Sequence, residues 1–158
     1  MLLGKKRKLG RKIEEMTVGE KLTLTEKIED KDILLYLGLT NDANPLFIQH
    51  DFASQTPFKK PIVPQIMLTG IMTSAISKYL PGPGSAILQQ NIKFIKPVYH
   101  YATIEFLFEV TAINMKSDEV EITVKAINEE KEVVIEGKFN VTPPQVMETM
   151  TGKALENF

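Results

Sequence analysis

The side chains best suited to chemistry crowd into one stretch, TNDANPLFIQHDFA, from Thr40 to Ala53. Asp42 is a carboxylate that can take or give a proton, and Asn44 is an amide that can orient water or a substrate oxygen. His50 adds an imidazole, one of only two in the chain with His100. The same residues also suit a plain turn. Asp bonds its own loop backbone readily, and Asn44 before Pro45 is ordinary turn chemistry. Phe47 breaks the pattern, an apolar ring two residues after a proline in a polar loop.

Composition narrows the chemistry. At 158 residues the chain suits one domain with a real core. The apolar fraction of 43% and charged fraction of 25% are those of an ordinary globular protein. A net charge of -1 gives no global attraction to nucleic acid or an anionic membrane, so neither is expected as a partner. The absence of cysteine excludes disulfides, thiolate metal sites and a cysteine nucleophile. Two histidines make no histidine-rich metal cage, so no metal site is expected.

The start, MLLGKKRKLGRK, is basic, but its apolar run is too short for a secretory signal. No window approaches a membrane span, and the protein is expected in the cytoplasm. Lys5, Lys6, Arg7, Lys8, Arg11 and Lys12 read as a solvated end rather than an interaction arm.

The elements that would position the loop are legible from period and punctuation. Val18, Leu22 and Leu24, with Thr23 and Thr25 between, suggest a strand. EDKDILLYLGLT has acids ahead of an apolar run, the charge order of a helix start, with Ile33, Leu37 and Thr40, or Tyr36 and Leu37, sharing one face. PQIMLTGIMTSAISKYL is a second helix, led by Pro64 and apolar nearly all the way round, which predicts burial on every side. PGPG, Pro81 to Gly84, stops it.

The period then changes to two. Leu88, Gln90, Ile92 and Phe94 share a face, as do Ile104, Phe106, Phe108, Val110 and Ala112. Val120, Ile122, Val124 and Ala126 follow, then Val133, Ile135, Phe139 and Val141, and the last three strands read as an antiparallel meander. A short helix is possible in the tail through QVMETMTGKALENF. The division is a basic N-terminal segment 1-15, one domain 16-142 and a tail 143-158.

TNDANPLF, FKKPIVPQIM and LPGPGSAILQQNIKFIKPV together resemble the MaoC-like, (R)-specific enoyl-CoA hydratase family of the hot-dog fold. The match runs without a gap from about Thr40 to Val98, and four separate elements recur at consistent spacing. The resemblance implies an α+β fold, a single hot-dog domain whose curved antiparallel sheet wraps a long central helix. It implies a homodimer, or a higher or mixed oligomer in which a partner supplies a missing base. The implied reaction is reversible addition of water to a trans-2-enoyl thioester, with acyl-CoA or an acyl-carrier thioester as substrate and no cofactor.

The resemblance assigns roles residue by residue. Asp42 falls on the catalytic acid, and Asn44 and Pro45 fall on the family's Asn and Pro. Phe47 falls where the family has its catalytic histidine, and a phenyl ring moves no proton. Gln65 falls on the glycine whose N–H polarises the thioester carbonyl, and Gln65 still has that N–H. Thr73 falls on a serine that some members place near the water. His50 is the alternative base, and His100 reads as a surface histidine. Because of Phe47, a non-catalytic acyl-CoA or acyl-carrier binding subunit is the alternative function, with thioester hydrolysis behind it.

Overall fold

The computed structural model describes residues 9–145. After a 3-10 turn at Ile13–Glu15 come β1 (Lys21–Lys27), α1 (Asp30–Thr40), α2 (Pro45–Ile48), α3 (His50–Ser54) and α4 (Gln65–Tyr79). The strands β2 (Ala86–Phe94), β3 (Thr103–Asn114), β4 (Glu119–Ile127) and β5 (Val133–Thr142) complete the described residues. All five strands join one antiparallel sheet in the order β1-β3-β4-β5-β2. The expected tail helix lies almost wholly outside the described residues.

Alternation on β3, β4 and β5 fills one side of the sheet. Ile104, Phe106, Phe108, Val120, Ile122, Val124, Ile135, Phe139 and Val141 are buried there with Leu68, Met72 and Ile76 of α4 in one core cluster. Fully burying each such side chain contributes about 1.5–3 kcal/mol. The opposite face carries charges, among them Glu109 opposite Lys21 and Lys125 opposite Glu136.

Three register shifts redirect the pattern, one of them between Ala126 and Ile127, where Val134 is buried and Val133, expected inside, is only half-buried. The shift between Ile87 and Gln89 turns Ile87 to the core with Ile92 and Phe94, and leaves Leu88 exposed where strict alternation put it inside. The shift between Val110 and Ala112 exchanges Ala112 for Ile113 in the same way.

The expectation of a curved sheet wrapped around a long central helix is corrected. The sheet is open: among the described residues β1 and β2 are its edges, each bonded to one neighbouring strand. Helix α4 has 15 residues, about 22 Å at 1.5 Å per residue, an ordinary length. Nor is it gripped on every side. Its buried residues are Leu68, Thr69, Met72, Ala75 and Ile76, a single stripe at helical spacing. On another side Met67, Gly70, Ile71 and Ser74 line a cleft of about 370 Å³ with Leu24 and Asp32, and Ile66 is 56% exposed. Apolar residues all round the helix signalled burial that the sheet supplies on one face only.

Gly10 and Arg11 donate backbone bonds to the carbonyls of Pro83 and Pro81 (2.8 and 3.0 Å), tying the start of the described chain to the turn after α4. A Cβ at Gly10 would lie 2.5 Å from the Pro81 oxygen and 2.7 Å from the Gly82 carbonyl carbon, both backbone atoms. Gly10→Ala is therefore expected to lower stability by about 1–3 kcal/mol, read as a lower urea midpoint at unchanged slope. Asn44 caps α2, its Oδ1 accepting from the Leu46 N–H at 3.0 Å ahead of Pro45 at the first helical position. Asn44→Ala should cost about 0.5–2 kcal/mol in the same titration and Asn44→Asp much less.

Candidate active site

Asp42 is placed by the way α1 begins and ends. At its start the Glu29 N–H donates to Asp32 Oδ2 (3.1 Å) while the Asp32 N–H donates to the Glu29 carbonyl, a reciprocal cap. At its end Asn41 adopts a left-handed conformation (φ 55) and donates its N–H to the Leu37 carbonyl at 2.8 Å. Asn tolerates that conformation better than most residues, so the chain reverses in one step.

The reversal brings Asp42 back over the last turns of the helix. The Tyr36 hydroxyl donates to Asp42 Oδ2 at 2.7 Å. The Asp42 N–H donates to Thr40 Oγ1 (3.2 Å), and that hydroxyl donates to the Tyr36 carbonyl (2.8 Å). The Asn44 N–H lies 3.3 Å from Asp42 Oδ1. The carboxylate hydrogen-bonded to Tyr36 raises the phenol's pKa above its ordinary value, with desolvation adding to it, so the phenol keeps its proton at neutral pH.

From Asn44 the chain enters α2, where Phe47 is 7% exposed and donates its N–H to the Asn44 carbonyl at 2.9 Å. The ring is turned inward. His50, at the first position of α3, is exposed. The Ile62 N–H donates to the Leu46 carbonyl (3.1 Å) and the Val63 N–H to the Val98 carbonyl (2.7 Å), so the segment feeding α4 is fixed to both α2 and the strand-like stretch at Val98.

Gln65 opens α4 with its side chain exposed. The first amides of a helix have no intrahelical acceptor, and those of Gln65 and Ile66 take none from the described residues. Gln65 lines a cavity of about 200 Å³ with Phe58, Ile62, Leu68, Phe94 and Pro97. Thr73 lies two turns further along, half-buried, its hydroxyl donating to the Gly70 carbonyl at 3.1 Å.

The fold thus gathers Asp42, Asn44 and Phe47 into one loop and ties that loop, through the Leu46 carbonyl, to Ile62, three residues ahead of Gln65. Thr73 shares no hydrogen bond with them. Among the described residues no group of three or more His, Cys, Asp or Glu could hold a metal ion, and no helix is long and apolar enough to cross a membrane.

Two residues depart from the sequence reading. His100 is not a surface histidine: its side chain is 18% exposed, Nδ1 sits 3.3 Å from Asp30 Oδ1, and Nε2 is buried without a protein partner. The Tyr101 hydroxyl donates to the other oxygen of Asp30, so the turn before β3 is pinned to the start of α1. Tyr36 was missed as a site residue. Its signal was available only as a helix-face tyrosine one turn before a break at Asn41-Asp42, since nothing in the spacing says that the chain doubles back.

The family model for the MaoC like domain matches residues 10–132. The (R)-specific enoyl-CoA hydratase of Rhodospirillum rubrum is 31% identical over 131 residues, 83% of this chain and 90% of that protein. The enzyme of the same name from Aeromonas caviae is 27% identical over 83% of this chain and 98% of its own. Among solved structures, the unliganded R-hydratase PhaJ1 of Pseudomonas aeruginosa superposes with a TM-score of 0.79 at 26% identity, covering 87% of this chain and 88% of that one. The A. caviae (R)-hydratase gives 0.78 at 27% identity, covering 82% and 98%. With the family model spanning most of the chain and relatives of this closeness, the chain belongs to the MaoC-like family.

Proposed function

We propose that this protein hydrates trans-2-enoyl thioesters, and in reverse dehydrates (R)-3-hydroxyacyl thioesters, carried on CoA or an acyl carrier protein. One observation carries the reading: Asp42 is half-exposed on the loop, and its carboxylate receives hydrogen bonds only from donors, the Tyr36 hydroxyl and the Asn44 N–H. A carboxylate held by two donors and still open at the loop surface is placed to take a proton from water.

In this reading Asp42 takes a proton from water as the water oxygen bonds to C3. The C2=C3 electron pair moves toward the thioester carbonyl, whose oxygen is met by the Gln65 N–H at the start of α4. Asp42 then returns the proton to C2, so the carboxylate ends as it began. Asn44 holds the loop, and Thr73 lines the helix side. The assembly is a homodimer, for which the free edge of β2 with exposed Leu88 is the supporting feature. The relatives' names support the substrate class.

Buried Phe47 favours a second reading, an acyl-thioester binding subunit without turnover, because no imidazole stands beside Asp42. Hydration of crotonyl-CoA, followed by loss of the enoyl absorbance with binding measured in parallel, decides between them. The native protein is expected to turn over, and Asp42→Asn to lose about 100-fold or more in kcat with binding kept. Binding without native turnover, with hydration gained on Phe47→His, would establish the binding subunit instead. Absence of thioester binding overturns both.

A further inference from the structure

We propose that Tyr36 is the positioning residue for Asp42: its hydroxyl occupies one carboxylate oxygen so that the other faces the water to be activated. This deepens the hydration reading and rests on it. The two oxygens of Asp42 are held unequally. Oδ2 receives the phenol at 2.7 Å, a full hydrogen bond, whereas the Asn44 N–H lies 3.3 Å from Oδ1 at the long end of the range. Oδ1 therefore has the weaker partner and is the oxygen more open to a water.

The same tyrosine also anchors the backbone. Its carbonyl takes the Thr40 hydroxyl, which in turn takes the Asp42 N–H, so Asp42 is held at main chain and side chain by one turn of α1. This closed ring leaves the carboxylate little freedom to rotate Oδ1 away. Phe47 contributes no bond to the carboxylate, being buried and apolar. A tyrosine whose pKa is raised by the carboxylate it serves remains a neutral donor through the working range and keeps its own proton throughout the reaction. Asp42 alone carries the proton from water to C2.

The test uses the full-length chain and crotonyl-CoA, with kcat and KM measured from about pH 4 to 9 for the native protein, Tyr36→Phe, and Tyr36→Phe combined with Phe47→His. Tyr36→Phe keeps the ring and removes only the donor. Its kcat is expected to fall about 10- to 100-fold with KM within about threefold, since a hydrogen bond to a charged group is at stake. The imidazole of the double variant should recover part of the lost kcat. Native kcat in Tyr36→Phe overturns the proposal while leaving the hydration reading intact. A collapse of the thermal midpoint with the loss of activity makes the hydroxyl a structural clasp and also overturns it. No turnover by the native protein overturns the hydration reading first, and this inference with it.

Discussion

One face of α4 packed on the phenylalanines of the sheet is the contact on which the rest of the molecule depends. Leu68, Met72 and Ile76 pool with Phe106, Phe108 and Phe139 in a single cluster that water does not reach. Because that stripe fixes the rotation of α4, it also fixes which way the first amides of the helix face. The Gln65 and Ile66 N–H groups lie at the unpaired end of an aligned set of peptide dipoles, equivalent to about half a positive charge. Those amides gain their value from being held still, and the core holds them. A helix gripped all round would have no open side; here the side away from the core lines the cleft of about 370 Å³, and Gln65 is exposed separately at the helix start, beside the cavity of about 200 Å³.

The strands and α4 were legible because their signals are long and repeated. Nine residues from Glu119 to Ile127 alternate without a fault, and Val120, Ile122, Val124 and Ala126 are all buried. Pro64 and the PGPG run bracket α4 to within a residue at each end. Bulges are less legible. A single inserted residue at Leu88 or Thr111 changes which side chains face inward, and both positions look like normal members of an alternating run. Helices α2 and α3 have four and five residues, barely one turn each, so no periodicity can accumulate in them. The curvature of the sheet was legible least of all, because it depends on how the two edges sit in space and not on any local pattern.

The candidate site divides along the same line. Asp42, Asn44 and Phe47 are adjacent in sequence, so their proximity needed no folding to be guessed. Tyr36 needed the left-handed step at Asn41, one backbone angle out of the whole chain, to become the partner of Asp42. His100 and Asp30 are further examples: they are 70 residues apart and meet only because the turn before β3 returns to the start of α1. Contacts across a reversal or between distant segments are set by tertiary geometry, and side-chain type alone gives them no address.

That geometry changes what the loop asks of its acid. An imidazole can accept and release a proton near neutral pH, so a carboxylate beside one can share the work. A phenol hydrogen-bonded to a carboxylate cannot, because its own proton is held more firmly than usual and leaves only at strongly alkaline pH. With Phe47 folded inward and Tyr36 bonded to Oδ2, Oδ1 is the more open oxygen of Asp42, while His50 lies exposed further along the loop at the start of α3. In the hydration proposed above, water activation and delivery of the proton to carbon would then pass through this one carboxylate on one side of the substrate. Addition from one face, with both new bonds formed on the same side, follows from that single point of proton exchange.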